Sequence, residues 1–126
     1  MKSVKQLALF LENKPGTLSK VCKALAAAKI NINAIAVSDA VDHAVVRMVV
    51  DDPQKALHLL GERGVLVVER DVLMLTGHNK PGELAGVTAK LAKHAINIEY
   101  AYSAATGAMI LRVDNLKKAV RVLKGH

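Results

Sequence analysis

Aromatic residues are nearly missing from this chain. Phe10, Tyr100 and Tyr102 amount to 2% of 126 residues, while hydrophobic residues reach 52%. A core is therefore expected, built from Ala, Val, Leu and Ile, and disorder is not. Cysteine is almost as scarce. With Cys22 alone, an internal disulfide and a multi-cysteine metal site are excluded, and a reduced thiol in a cytoplasmic protein is the expectation. Long apolar runs are also lacking: none approaches the roughly 18 residues of a membrane span. Near the start, Leu7 to Leu11 is interrupted by Glu12, too short a run for a signal peptide. Negative charge is in deficit, leaving a net charge of +7 and a pI of about 9.7. That balance permits nucleic-acid binding without specifying it. Lys117, Lys118, Arg121 and Lys124 fall together and read as a solvated helix face.

What the chain does have is a copy of itself. Asn13-Lys14-Pro15-Gly16 recurs as Asn79-Lys80-Pro81-Gly82, and Ile30-Asn31-Ile32 as Ile96-Asn97-Ile98, both at an offset of 66 residues. Between them, Leu18, Val21, Leu25 and Ala26 match Leu84, Val87, Leu91 and Ala92 without a gap. Unrelated segments share only about one residue in fifteen or twenty. The chain is a duplication of one small domain, with a period too long for a solenoid. We expect domains at 1–70 and 71–126.

The element pattern is the same in both copies. Leu7, Leu9 and Leu11 alternate with Gln6, Ala8 and Phe10 as in a strand, and Val72 to Thr76 is the counterpart. Pro-Gly ends each strand, and Leu18, Val21 and Leu25, like Leu84, Val87 and Leu91, fall at helical spacing. A second strand starts at Ile-Asn-Ile. Third strands are expected at Ala44 to Val50 and Ala108 to Val113, and second helices at Pro53 to Arg63 and Leu116 to Lys124. Val65 to Val68 closes copy one as a fourth strand. The order is β-α-β-β-α-β, an α+β ferredoxin-like unit with an antiparallel sheet and helices on one face. Copy two runs out before a fourth strand: only Gly125 and His126 follow Lys124. Its sheet needs a partner strand, has a shortened edge, or belongs to a truncated chain. Bare edges invite pairing, so a homodimer is expected.

These residues resemble a known family. Asn-x-Pro-Gly-x-Leu, a dozen residues, then Ile-Asn-Ile is similar to the signature of the ACT domain, and both copies carry it over nearly the whole chain. The arrangement also resembles small free-standing proteins made of two such domains. The resemblance implies a non-enzymatic sensor without a cofactor, binding an amino acid or related carboxylate metabolite at the interface of two paired domains. It also implies regulation of an enzyme or other partner. Asn13, Asn31, Asn79 and Asn97 take the family's ligand-contacting positions. Around them, Pro15, Gly16, Thr17, Leu18 and Ile32, and Pro81, Gly82, Glu83, Leu84 and Ile98, complete the two candidate sites. In relatives with a serine site a His lies two residues before the first Asn. Leu11 and Gly77 stand there instead, with His78 displaced by one, so serine is not implied.

Residue chemistry agrees with binding. Pro fixes φ, and Gly permits close approach of a ligand. The turn leads into a helix N-terminus, whose free N–H groups attract a carboxylate. Asn offers a donor and an acceptor to an amino acid's two charged groups. Each Asn has a second reading, as a cap bonding its own backbone. The two sites differ, Thr17 against Glu83 and Asn33 against Glu99, so that one of them is open to being inactive.

Other classes fit less well. His43, His58, His78, His94 and His126 fall in a turn, a helix, a loop, a helix end and the terminus, with no metal-ligand spacing. Ser38, Asp39, Asp42 and His43 cluster as turn composition rather than as a catalytic set. RNA-binding domains of this topology stack bases on aromatics of the first and third strands. Here the third strands have none, and Phe10 alone lies in a first strand. Nucleic acid is therefore the weaker alternative, beside a protein-interaction module that has lost its ligand.

Overall fold

The computed structural model describes residues 1–124; His126 and its neighbour lie outside the described residues. Ten elements follow in the order β1 (Lys2–Glu12), α1 (Thr17–Ala27), β2 (Ile32–Ala40), β3 (His43–Val50), α2 (Pro53–Glu62), β4 (Leu66–Leu75), α3 (Glu83–Lys93), β5 (Ile98–Ser103), β6 (Met109–Val113) and α4 (Leu116–Val122). Every expected helix is present. The strands expected at Val65 to Val68 and Val72 to Thr76 are one continuous strand, β4. No Gly or Pro lies between them, and a run such as Leu66-Val67-Val68-Glu69-Arg70-Asp71-Val72 has nothing to break it.

Two compact units result, Lys5–Arg70 and Met1–Val4 with Asp71–His126. They differ from the expected 1–70 and 71–126 at one point, the first four residues. In the first unit the strands lie in the order β2-β3-β1-β4, the ferredoxin-like arrangement. β3 pairs antiparallel with β1, Leu9 opposite Val46, and with β2, Ile32 opposite Val50. In the second unit β4 pairs antiparallel with β6, Leu75 opposite Met109, and β6 with β5. The strand flanking β4 on its other side is β1. Among the described residues copy two has no fourth strand of its own, and Met1–Val4 stands in that place, with Met1 packed against the second core. The vacant edge that argued for a homodimer is filled from within the chain.

Each unit has its own core, and the two are built alike. Leu7, Leu9 and Leu11 of β1 and Val46, Met48 and Val50 of β3 alternate onto one face. Val21 and Leu25 of α1 and Ala56 and Leu60 of α2 cover that face. In the second unit Leu73 and Leu75, Leu111 and Val113, Val87 and Leu91, and Ala119 and Leu123 do the same. One departure from simple alternation is in the middle of β1. Gln6 and Ala8 are buried as well, at 0% and 6% exposure, while Phe10 on the same face is exposed.

Local chemistry explains the helix ends. Asp52 and Asn115 cap α2 and α4, each accepting a hydrogen bond from the backbone N–H three residues on. The first helices have no side-chain cap; α1 and α3 start from Gly16 and Gly82, both left-handed at φ 90° and 88°. Val41, at the tip of the β2–β3 hairpin, is also left-handed at φ 64°, an unfavourable state for a β-branched residue. Such a backbone costs about 1–2 kcal/mol, partly offset by the roughly 0.4–1 kcal/mol of unfolded-chain freedom that glycine adds. Val41→Gly is therefore expected to stabilise the protein by about 0.5–1 kcal/mol, raising Tm by a few degrees. Thermal unfolding followed by circular dichroism checks it, and an unchanged or lowered Tm contradicts it.

Candidate functional site

The repeated Asn-Lys-Pro-Gly turn has the same sequence in both copies but a different environment in each. In copy one the β2–β3 hairpin folds over it. The Asn13 amide donates to Asp39 Oδ1 at 2.7 Å and to the Val41 carbonyl at 3.4 Å, and the Asn13 N–H donates to the Asp42 carbonyl at 3.0 Å. Asn13 is thus neither a helix cap nor free. Leu11 is buried beneath it and Leu18 packs on the first core. The hydroxyl of Thr17 is buried and lacks a hydrogen-bond partner among the described residues.

The matching hairpin of copy two is shorter. Ile98 reaches its partner Val113 in 15 residue steps, against 18 from Ile32 to Val50. The loss falls at the tip, and among the described residues no hydrogen bond joins this hairpin to Asn79. Asn79 takes a left-handed backbone, φ 48°, and its amide has no hydrogen-bond partner among the described residues. Asn is the side chain that tolerates this state best. A cavity of about 200 Å³ opens beside it, lined by Leu75, Val87 and Met109 among the apolar residues and by Asn79, Lys80, Glu83 and Ser103 among the polar ones. Thr76, Gly77, Leu84 and Gly107 complete the wall. Leu84, unlike Leu18, is exposed.

Glu83 is the charged group most closely built into this wall. The His78 N–H donates to both of its carboxylate oxygens, at 2.9 and 2.8 Å. The carboxylate lies over Gly77 so closely that a Cβ there would collide with it. Two positions have therefore changed together between the copies: Leu11 with Thr17 in one, Gly77 with Glu83 in the other. The glycine makes room for the carboxylate.

The second repeated Asn works through its backbone. Asn31 N–H donates to Asp51 Oδ1 at 3.0 Å while Asp51 N–H donates back to the Asn31 carbonyl; Asn97 and Asp114 do the same, with Asn97 N–H to Asp114 Oδ1 at 3.0 Å. These reciprocal bonds tie the start of β2 to the end of β3, and of β5 to β6. The Asn31 amide donates to Asn33 Oδ1. Ile32 and Ile98 pack on the two cores. Register shifts follow both, at Asn33 and at Glu99, and Glu99 pairs with Arg112 at 3.2 Å.

Of the residues expected at a site, the cavity gathers Asn79, Glu83 and Leu84. Pro81, Gly82, Asn97 and Ile98 lie outside its lining, and Asn13, Pro15, Gly16, Thr17, Leu18, Asn31 and Ile32 belong to the other unit. The lining residues not anticipated are Leu75, Thr76, Gly77, Lys80, Val87, Ser103, Gly107 and Met109. The signal that finds them is the shortened hairpin, visible where the 66-residue offset fails. In the copy-one hairpin, His43 hydrogen-bonds Asp42 at 2.9 Å and holds its carboxyl below the usual carboxylate range. That pair accounts for the polar cluster there. No group of three or more His, Cys, Asp or Glu placed to hold a metal occurs among the described residues, and no described helix is long and apolar enough to cross a membrane.

A family model described as an ACT domain pair matches residues 2–125. Among solved structures, a protein from Bacteroides thetaiotaomicron is similar at 36% identity and a TM-score of 0.91, over 98% of this chain and 88% of that one. The ligand-free regulatory subunit of aspartate kinase from Thermus thermophilus shares the fold at 20% identity and a TM-score of 0.68, over 94% of this chain and 88% of that one. The corresponding subunit from Thermus flavus does so at 21% and 0.61, over 98% and 94%. Among curated proteins, none matches.

The two turn asparagines are expected to respond differently to substitution. Asn13→Ala removes bonds to the hairpin and should cost about 0.5–1.5 kcal/mol. Asn79→Gly keeps the left-handed backbone, removes no internal bond, and should stay within about 0.5 kcal/mol of the parent protein. Urea unfolding of both variants measures the contrast; equal losses at the two positions would contradict it.

Proposed function

The chain belongs to the ACT domain pair family, and on that premise we propose that it is a small-molecule sensor, binding an amino acid or related carboxylate metabolite and regulating a partner through it. The observation that carries this reading is the copy-two cavity at the repeated Asn-Lys-Pro-Gly turn, where an unpartnered amide, a lysine and a carboxylate converge on an apolar floor. At about 200 Å³ it lies below the roughly 300–1,000 Å³ of clefts for drug-sized ligands and suits a molecule of amino-acid size. The first turn of α3, without a side-chain cap, adds the partial positive charge of a helix start. Two solved proteins of this fold are regulatory subunits of aspartate kinase, which favours an enzyme as the regulated partner. One cysteine is in keeping with work in the cytoplasm. A thermal-shift screen of the twenty amino acids and common carboxylate metabolites tests the reading. A true ligand at 100 times its Kd should stabilise the fold by about 2.7 kcal/mol. Indifference to the whole panel would refute the sensor role.

Self-association belongs to the same proposal, on a new basis. β2 is the end strand of its unit, and Ile35 and Val37 on it are 40% and 54% exposed. An exposed apolar edge is a template for pairing with a second copy. Light scattering should give twice the chain mass of 13.5 kDa, and Val37→Lys should return the single-chain mass. A parent protein that is monomeric at high concentration excludes the dimer.

A further inference from the structure

We propose that the copy-two cavity holds its ligand by an ammonium group, that Glu83 is the anchor for it, and that the chain has one such site rather than two. This rests on the amino-acid-binding reading above and specifies its chemistry. A carboxylate offers about four lone-pair positions. The single N–H of His78 engages the two Glu83 oxygens from one side only. Among the described residues no Lys, Arg or His comes within ion-pairing distance of Glu83, although it is half-buried and lines the cavity. A ligand cation entering the cavity would supply the counter-charge that this carboxylate lacks, and its free lone pairs are placed to accept from an ammonium group.

The other polar groups of the wall complete a pattern. Lys80 and the Asn79 amide are also unpaired among the described residues, and a lysine ammonium only donates. They suit a carboxylate. Leu75, Val87 and Met109 supply the apolar surface for a side chain. An acceptor for a cation, donors for an anion and an apolar floor together describe a zwitterionic α-amino acid. An anion alone is poorly served, because the loop N–H of His78 that would receive it already holds the protein's own carboxylate.

Copy one keeps the lysine, as Lys14, but pairs it with Glu12, and it lacks the carboxylate, the glycine and the free amide. Thr17 replaces the carboxylate, Leu11 occupies the space that Gly77 leaves, and the Asn13 amide is committed to Asp39 and Val41. Hence one ligand per chain.

Isothermal titration of the full chain decides the matter. The probes are the amino acid giving the largest thermal shift in the twenty-member panel, and the 2-oxo acid with the same side chain. Expected are one site per chain, a 2-oxo acid at least about 10-fold weaker, and a loss of roughly 10- to 150-fold in amino-acid affinity for Glu83→Gln. The amide can still accept from His78 N–H, and circular dichroism verifies its folding. Should that variant not fold, the amino acid against the 2-oxo acid on the parent protein still discriminates. Two sites per chain, equal affinity for the 2-oxo acid, or a folded Glu83→Gln variant that binds as the parent does would each overturn this inference and leave the sensor reading standing. A panel in which only carboxylates lacking an amino group bind does the same. Failure of the whole panel, amino acids and metabolites alike, removes both.

Discussion

A strand inside a sheet must satisfy backbone donors and acceptors along both sides, or leave them to water at an edge. Asp71–Leu75 of β4 has β6 on one side, and among the described residues its own copy offers no strand for the other. β1 meets that need. At 11 residues it is long enough to serve as first strand of one unit and, through Met1–Val4, as last strand of the other. β4, with 10 residues, is likewise last strand of one unit and first of the next. Two ferredoxin-like units are thus completed from six strands, and both helix-covered cores follow from that economy.

Much of this was legible in the sequence because it depends on short-range pattern. The alternation of Leu7, Leu9 and Leu11, the helical spacing of Val21 and Leu25, and the Pro-Gly breaks each follow from a local rule. What escaped depends on neighbours remote in sequence. Nothing in Met1-Lys2-Ser3-Val4 announces that it flanks residue 71 onward, and no periodicity signals that Gln6 is buried in midstrand. The helix starts showed the limit from the other direction. Asp52 before Pro53 is a readable cap, whereas Asn13 has the composition of a cap and instead bonds Asp39, 26 residues away.

The candidate site was legible in the same proportion. The motif led to the turn beside which the cavity opens, but it is identical in both copies and so could not say which turn is open. The deciding features are three residues missing from a hairpin tip and one coupled exchange, Leu11 and Thr17 for Gly77 and Glu83. The two halves of that exchange are linked by contact. A larger residue at 77 would push the flexible Glu83 side chain aside, and a glycine at 11 leaves the first core short of a buried leucine. The copies have diverged as pairs of contacts, not as single positions.

The double membership of β1 also bears on the birth of the molecule. On a ribosome, Met1–Val4 emerges well before the part of β4 that it flanks, from Asp71 onward. At roughly 5–20 residues per second, several seconds separate the two. Lys5–Arg70 is a continuous stretch and can close its sheet in that interval. The second unit must wait, because all of it but Met1–Val4 is synthesised after Arg70. Its assembly joins residues far apart along the chain, the kind of contact that slows folding most. Synthesis therefore delivers a finished half and an unfinished one, and the half that carries the open cavity is the last to form.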